Sequence, residues 1–330
     1  MIERLWLLLA VHAGAVSAQQ IIFPQQIPDC RPLRSGETYA SPTPPPLPPP
    51  AIVYNNLGGM DGRDSPPAPP GMEWPPAIRI RYVARHPNHF DDSNRWLDVL
   101  ITNTSMYWPF RQHDMSINRM TDGWMSINLM GPDYAGINAT GDGSLTPTEF
   151  VRLNFRLIDG NTPTMEWETA PSVSLSGLAG LLAVWDLDTE AWDANGRALN
   201  GRECVSAPLS PPATGASSVA VTPDTSLTIG QHRSDSGWYS ICGTQYRSGA
   251  NNVNPPPFLF SAREVYTRTS HVTLDQLAVA IVLTDFTSIE VEFSIDCCTA
   301  QGRNLLFRAA FDLPRCPGPP PSPPPPSPPS

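Results

Sequence analysis

The sequence predicts a mainly β fold. The expected form is an antiparallel β-sandwich, jelly-roll-like, of about eight to eleven strands, held between proline-rich segments in the polyproline II conformation. Three observations lead there. Apolar residues alternate with polar ones along many short runs, the pattern of half-buried strands; Val151, Leu153, Phe155 and Leu157 against Arg152, Asn154 and Arg156 form an unbroken example. Helix-starting signals are few. Proline is crowded into stretches outside the alternating region, and a residue with fixed φ and no backbone N–H builds neither helix nor sheet.

Residues 1–18 read as a secretion signal. Arg4 and the terminal amine give a basic start, offset in part by Glu3; an apolar run follows over residues 5–11, and Val16 and Ala18 place small residues where a signal peptidase reads. That run is too short for a permanent membrane anchor, so the mature chain is expected to begin near Gln19. Residues 19–76 form an N-terminal segment with a proline-rich linker: 42–50 is one polyproline stretch, 65–76 a second, broken one, and 55–64 between them is rich in glycine and turn residues.

The sandwich domain is expected over 77–316. Ile78, Ile80 and Tyr82 should face one way and Arg79 and Arg81 the other, with further strands at 96–102, 150–158, 181–187, 258–260, 289–295 and 304–311. Thr273 with Gln276 forms a capping box that opens one or two helical turns before residues 279–283 return to strand. Residues 317–330 are a Ser-Pro-rich tail in which ten of fourteen residues are proline. At about 3.1 Å per residue it is a polyproline II spacer of roughly 40 Å.

Formal net charge is −10, which argues against nucleic acid and anionic membrane surfaces as partners. No internal segment is long and apolar enough to cross a membrane; the nearest, 175–185, is broken by Ser176, Gly177 and Gly180. All 21 basic residues are arginine, which a GC-rich genome explains more simply than avoidance of lysine-directed cross-linking. The six cysteines, Cys30, Cys204, Cys242, Cys297, Cys298 and Cys316, make an even set in a secreted chain, so full oxidation is expected. The count does not choose a pairing. The preferred one joins Cys204 to Cys242 and ties Cys30 and Cys316 each to one of the adjacent pair Cys297 and Cys298, which leave opposite faces of a strand.

No catalytic residue is assigned. The chain has no Gly-x-Ser-x-Gly elbow, no phosphate-binding glycine loop, no His-Glu-x-x-His and no Cys-x-x-Cys. His86 and His89 flank a Pro-Asn turn and read as a surface loop rather than a metal pair. Asp235, Ser236 and Gly237 are superficially like a serine-nucleophile loop but lack its glycine frame. Paired carboxylates for glycoside hydrolysis meet only in space, so a hydrolase stays among the readings.

No cofactor is expected unless calcium binds, and two acidic segments are candidates. In 138–149, Asn138, Thr140 and Asp142 stand at the first ligand positions of an EF-hand-like loop, Gly143 at its turn and Glu149 at its bidentate end. An alternating strand follows where an EF-hand needs a helix, and Asn138-Ala139-Thr140 is an N-glycosylation acceptor, so the segment reads as a glycosylated hairpin loop. Asn103, before Thr104 and Ser105, is a second acceptor, to be used only if its loop is exposed. The other segment carries Asp186, Asp188, Glu190, Asp193, Asn195 and Glu203. Asp186 and Asp188 leave one face of a strand end together and need a counter-charge, either calcium or an arginine such as Arg197 or Arg202. The salt-bridged loop is the simpler of the two.

The Ser-Pro-Pro-Pro-Pro-Ser spacing of 322–327 and the lysine-free composition resemble the hydroxyproline-rich extracellular glycoproteins of volvocine green algae, the group of pherophorins and sexual agglutinins. That resemblance implies rods of hydroxylated, arabinosylated proline beside globular domains, in wall, matrix or flagellar-surface material. The globular part has fewer cysteines than pherophorins. It is more similar to an uncharacterised secreted domain of algae and marine protists, through Trp185, Asp186 and Asp188, the Glu-Cys-Val step at 203–205 and the Gly-Arg-Asn-Leu-Leu-Phe strand at 302–307; this implies a fold and no activity.

The expected function is structural or adhesive: a secreted, glycosylated, disulfide-bonded module of an extracellular matrix, cell wall or flagellar surface, with matrix glycoproteins or glycans as partners. One rival is a lectin-like carbohydrate-binding module, for which Trp74, Trp108, Trp124 and Trp192, all outside the clear strands, would offer stacking surfaces. The other is a matrix-modifying hydrolase.

Overall fold

The computed structural model of the protein describes residues 21–22, 48–59, 62, 65–86, 95–107, 109, 118–121, 124–129, 148–174, 179–185, 187–189, 191–192, 198–200, 202–208, 216–221, 225–232, 234–235, 237–244, 279–284, 287–296 and 303–310. Its strands, in chain order, are β1 (Ile21–Ile22), β2 (Ala51–Asn55), β3 (Ala77–Arg85), β4 (Trp96–Asn103), β5 (Arg119–Thr121), β6 (Trp124–Leu129), β7 (Thr148–Asp159), β8 (Ala179–Trp185), β9 (Ala191–Trp192), β10 (Ala198–Asn200), β11 (Arg202–Pro208), β12 (Ala216–Ala220), β13 (Leu227–Gln231), β14 (Trp238–Gly243), β15 (Val279–Thr284), β16 (Ser288–Asp296) and β17 (Arg303–Ala310). A 3-10 turn, Leu57–Gly59, follows β2.

Eight strands form one sheet in the order β13-β14-β11-β16-β7-β4-β3-β2, and seven form the other in the order β1-β12-β15-β8-β17-β6-β5. β9 and β10 make a separate two-stranded ribbon. Pairing is antiparallel throughout except where β1 lies parallel to β12. A mainly β, antiparallel sandwich is therefore the fold, with more strands than the sequence led us to expect. Among the described residues no helix is long and apolar enough to cross a membrane.

The period-two pattern explains why the sheets close on one another. On β7 Val151, Leu153, Phe155 and Leu157 point inward and are buried, and on β16 Ile289, Val291, Phe293 and Ile295 do the same. They meet Leu305 and Phe307 of β17 and Leu182 and Val184 of β8 from the facing sheet. Phe307 contacts Phe155 edge-on at a centroid distance of 5.2 Å and Phe293 at 5.6 Å. Fully burying such a side chain contributes about 1.5–3 kcal/mol, so these central strands hold most of the cohesion.

Two expectations are corrected at the N-terminal side. The eight-stranded sheet begins at Ala51 and not at 77, because β2 pairs with β3 as an edge strand, and an edge is where a strand flanked by prolines is tolerated; the other sheet takes in β1 from further upstream. Tyr82 does not continue the alternation of Ile78 and Ile80. It has φ 65°, the register with β4 shifts between Ile80 and Ala84, and Val83 and Ala84 are both buried. Between those pairs β3 advances four residues and β4 two, a β-bulge whose two extra residues re-aim their neighbours. The helical turn expected at Thr273, and the strand at 258–260, lie outside the described residues.

The outer face of the eight-stranded sheet is divided. Over β2, β3, β4 and the end of β7 it is covered by 65–76 and 160–174, which bury a second cluster of Tyr54, Ala77, Leu100, Ile158 and Ala170 with Trp74 and Trp167 against it. Trp74 stacks on Tyr54 at 5.4 Å and donates its Nε1 hydrogen to the Pro66 carbonyl. Beneath the cover Arg79 and Asp98, both wholly buried, pair at 2.7 Å. Arg79 also donates to the carbonyls of Thr162, at 2.9 Å, and Gly160, at 3.2 Å. Arg156 holds the same segment through the carbonyls of Ala170 and Trp167. The proline-rich stretch 65–76 is thus part of the packed sandwich.

Candidate functional site

Past β7 the outer face changes character. A row of paired positions runs from Arg152 on β7 to Glu292 on β16, Ser206 on β11, Ser240 on β14 and Gly230 on β13. All lie on the polar side of strands whose other side fills the core, which is how strict alternation brings charges from distant sequence onto one surface.

Arg152 is the centre of this half. Its Nε donates to Glu292 Oε2 at 3.0 Å, a second guanidinium nitrogen donates to the Asp235 carboxylate, and a third lies 3.9 Å from Glu290 Oε1. Two rings flank it: the Trp238 centroid is 5.1 Å from the Arg152 Cζ and the Phe150 centroid 5.7 Å, within cation–π range. Burial works against the Arg152 charge, but the hydrogen bonds and charges of Glu292 and Asp235 outweigh it and leave its pKa above the ordinary arginine value.

The β13–β14 hairpin closes one side. His232 is buried, with Nε2 3.1 Å from Glu292 Oε1. Its Nδ1 accepts the backbone N–H of Asp235 at 3.1 Å and lies 3.2 Å from Asp235 Oδ2. A nitrogen that accepts an amide hydrogen carries no proton, so the geometry selects the tautomer protonated on Nε2, which donates to Glu292. The ring fastens the hairpin to the sheet.

Two chemical readings of this cluster can be weighed on the geometry. His232, Asp235 and Glu292 bring three potential metal-ligand atoms within 4.8 Å of one another. Arg152, however, already donates to both carboxylates, and the two imidazole nitrogens face different carboxylates instead of one point; the resident cation is the guanidinium. Ser234 Oγ, His232 and Glu292 also stand in the order of a nucleophile, base and acid, with Ser234 Oγ 3.4 Å from Nδ1. The Nδ1 lone pair is taken by the Asp235 amide, so it is not aimed at the serine as a general base must be.

The residues singled out in the sequence are distributed elsewhere. Asp188 is buried, its Oδ1 3.8 Å from the Arg303 guanidinium, which also lies 3.7 Å from Glu203. Asp188 thus has an arginine of β17 beside it; Arg197 lies outside the described residues. Asp186, Glu190, Asp193 and Asn195 lie outside the described residues. β7 already includes Glu149, paired with Ile295, so the segment from Asn138 to Glu149 runs into a strand, as its alternation implied; Asn138 itself is outside the described residues. Asn103 ends β4 half-buried, its amide donating to the Ser105 carbonyl at 2.9 Å, next to an exposed Thr104. His86 is buried 3.7 Å from Asp159, not in a surface loop; His89 is outside the described residues.

Cys204 and Cys242 are directly opposite in β11 and β14 and their sulfurs are bonded, as expected, while Cys30, Cys297, Cys298 and Cys316 fall outside the described residues. Of the four tryptophans proposed for stacking, Trp74 is built into the covered half, Trp124 and Trp192 sit in β6 and β9, and Trp108 is outside the described residues. The rings at the polar cluster, Trp238 and Phe150, were not among them. The polar alternation around Arg152 was the signal that could have led to them.

Neither a protein-family model nor any curated protein matches the chain.

Proposed function

We propose that the protein is a secreted structural or adhesive glycoprotein of an algal type of extracellular matrix, cell wall or flagellar surface, in which the β-sandwich is a rigid head joined to a proline-rich rod. The observation that carries the reading is the Cys204–Cys242 bond across neighbouring strands, since such cross-links persist in oxidising compartments. It agrees with the leader-like residues 1–18 and the Ser-Pro tail at 317–330. The cluster around Arg152 fits this reading too: its side chains are engaged with one another and hold the hairpin loop to the sheet.

The test is chemical. Mass spectrometry of the native protein should find hydroxyproline bearing arabinose from Pro319 onward, because contiguous prolines beside serine are what plant and algal hydroxylases modify. Unmodified proline throughout 319–329 would remove the algal-rod reading.

A further inference from the structure

We propose that the open half of the eight-stranded sheet's outer face is a binding platform for a neutral saccharide, centred on Arg152 and bounded by Phe150, Trp238, Asp235 and Glu290. It rests on the adhesive reading above and gives it a ligand.

Exposure and chemistry choose the ligand together. Phe150 is 40 % exposed, and among the described residues it is the only aromatic ring among the exposed large apolar side chains. It lies on the polar face of a central strand, where the packing of the core does not require it. An isolated Leu or Met on a surface needs no explanation, whereas a ring set beside a charged cluster offers a flat apolar face to one side of a ligand.

The polar groups beside it are equally selective. Arg152 is 25 % exposed, Asp235 33 % and Glu290 36 %. An anionic ligand would meet three carboxylates against one guanidinium. A cationic one would meet Arg152 at the centre, already bonded to two of those carboxylates. A neutral group that both donates and accepts suffers neither repulsion. Glu290 Oε2 already accepts the Thr104 hydroxyl at 2.9 Å, so a hydroxyl donor is accommodated there. Hydroxyls of a sugar can donate to the solvent-facing carboxylate oxygens and accept from Arg152, while the C–H face of the same ring covers Phe150 or Trp238. The hairpin fixed by His232 holds Asp235 and Trp238 in place before any ligand arrives, which lowers the ordering cost of binding.

The experiment titrates the full secreted chain, after enzymatic removal of N-glycans so that a sugar on Asn103 cannot occupy the face, with neutral xylo-, arabino-, galacto- and cello-oligosaccharides, and in parallel with oligogalacturonate, sulfated galactan fragments and chitosan oligomers. Saturable calorimetric binding of a neutral probe is expected. Phe150→Ala should weaken it about tenfold, the loss of one stacking contact of roughly 1.4 kcal/mol. Phe150→Tyr should retain it, and the melting temperature should be unchanged in both because the ring is outside the core. No binding of any neutral probe, binding of charged probes alone, or full affinity in Phe150→Ala would each overturn the platform. Its failure is separable from failure of the matrix reading: a modified tail with no saccharide binding ends the first and leaves the second, and saccharide binding with an unmodified tail does the reverse.

Discussion

Two arginines on the same face of one sheet have opposite fates. Arg79 is wholly buried under 160–174, faces one carboxylate, and uses its remaining donors on backbone carbonyls. Arg152 is left partly in water among three carboxylates, an imidazole and two rings. The difference lies in what crosses over each: a buried guanidinium must have every donor satisfied by the fold itself, whereas a half-open one retains capacity for something that arrives later. The first organises structure and the second is available for recognition.

The largest expected effect tests the covered half. Asp98→Ala strands the Arg79 charge in the interior and should cost about 3–5 kcal/mol in urea unfolding. Asp98→Asn should cost less, since it keeps an acceptor for the Arg79 Nε–H although it too removes the negative charge. Burial raises the Asp98 pKa above its usual value, with Arg79 opposing that shift. A raised carboxyl pKa means that the folded state holds the proton more tightly than the unfolded chain. The contribution of Asp98 is therefore fully present below the unfolded value near pH 4 and is lost as pH rises through the folded pKa. Stability measured against pH should show wild type losing ground to Asp98→Asn across that window; a wild type that instead gained on Asp98→Asn as pH rose would show that the pair needs its charge after all.

Next is the disulfide of the open half. Cys204 and Cys242 are 38 residues apart, and replacing both with serine should cost about 2–4 kcal/mol, mainly by freeing the unfolded chain. A smaller loss follows at the seam. A Cβ on Gly160 would lie 2.0 Å from Trp96 Nε1, so Gly160→Ala should cost about 1–3 kcal/mol by overpacking and should loosen the segment Arg79 holds, detected as faster amide exchange there. The smallest effect is expected from Arg152→Met, about 1–2 kcal/mol, because Glu292 keeps its contact with His232. Added salt should narrow the gap between wild type and this variant, as partly exposed ion pairs are screened, and should leave the Asp98→Ala gap unchanged. Equal salt sensitivity in both would erase the distinction between the halves.

The sandwich was legible where one side of a strand is core and the other water. β4, β7, β8, β16 and β17 follow directly from that alternation. β11 was not expected because Glu203 and Ala207 occupy inward positions beside Val205 and blur its pattern. β14 ends in Gly243, whose Cβ would strike the Leu187 carbonyl oxygen at 2.5 Å; a close approach between chain segments leaves no apolar mark in the sequence. The bulge at Tyr82 escaped because nothing in a run of alternating residues announces an insertion. The polar cluster was illegible for a different reason. Arg152 reaches Asp235 across 83 residues and Glu292 across 140, and only sheet order makes them neighbours.

The placement of the two ends within their sheets determines how the molecule would bear tension. The proline stretch at 42–50 leads into β2, an edge strand held by β3 alone, while the sequence running on to the Ser-Pro tail leaves from β17, which is bonded to β6 on one side and β8 on the other. A pull from the N-terminal side first loads β1, held only through two residue pairs with β12, and then β2, held by one ladder, whereas a pull on the tail loads β17 along its length, where two ladders must shear together. Under load the head would give way first at these N-terminal edges, β1 and then β2, before the strands of the core and the Arg152 face.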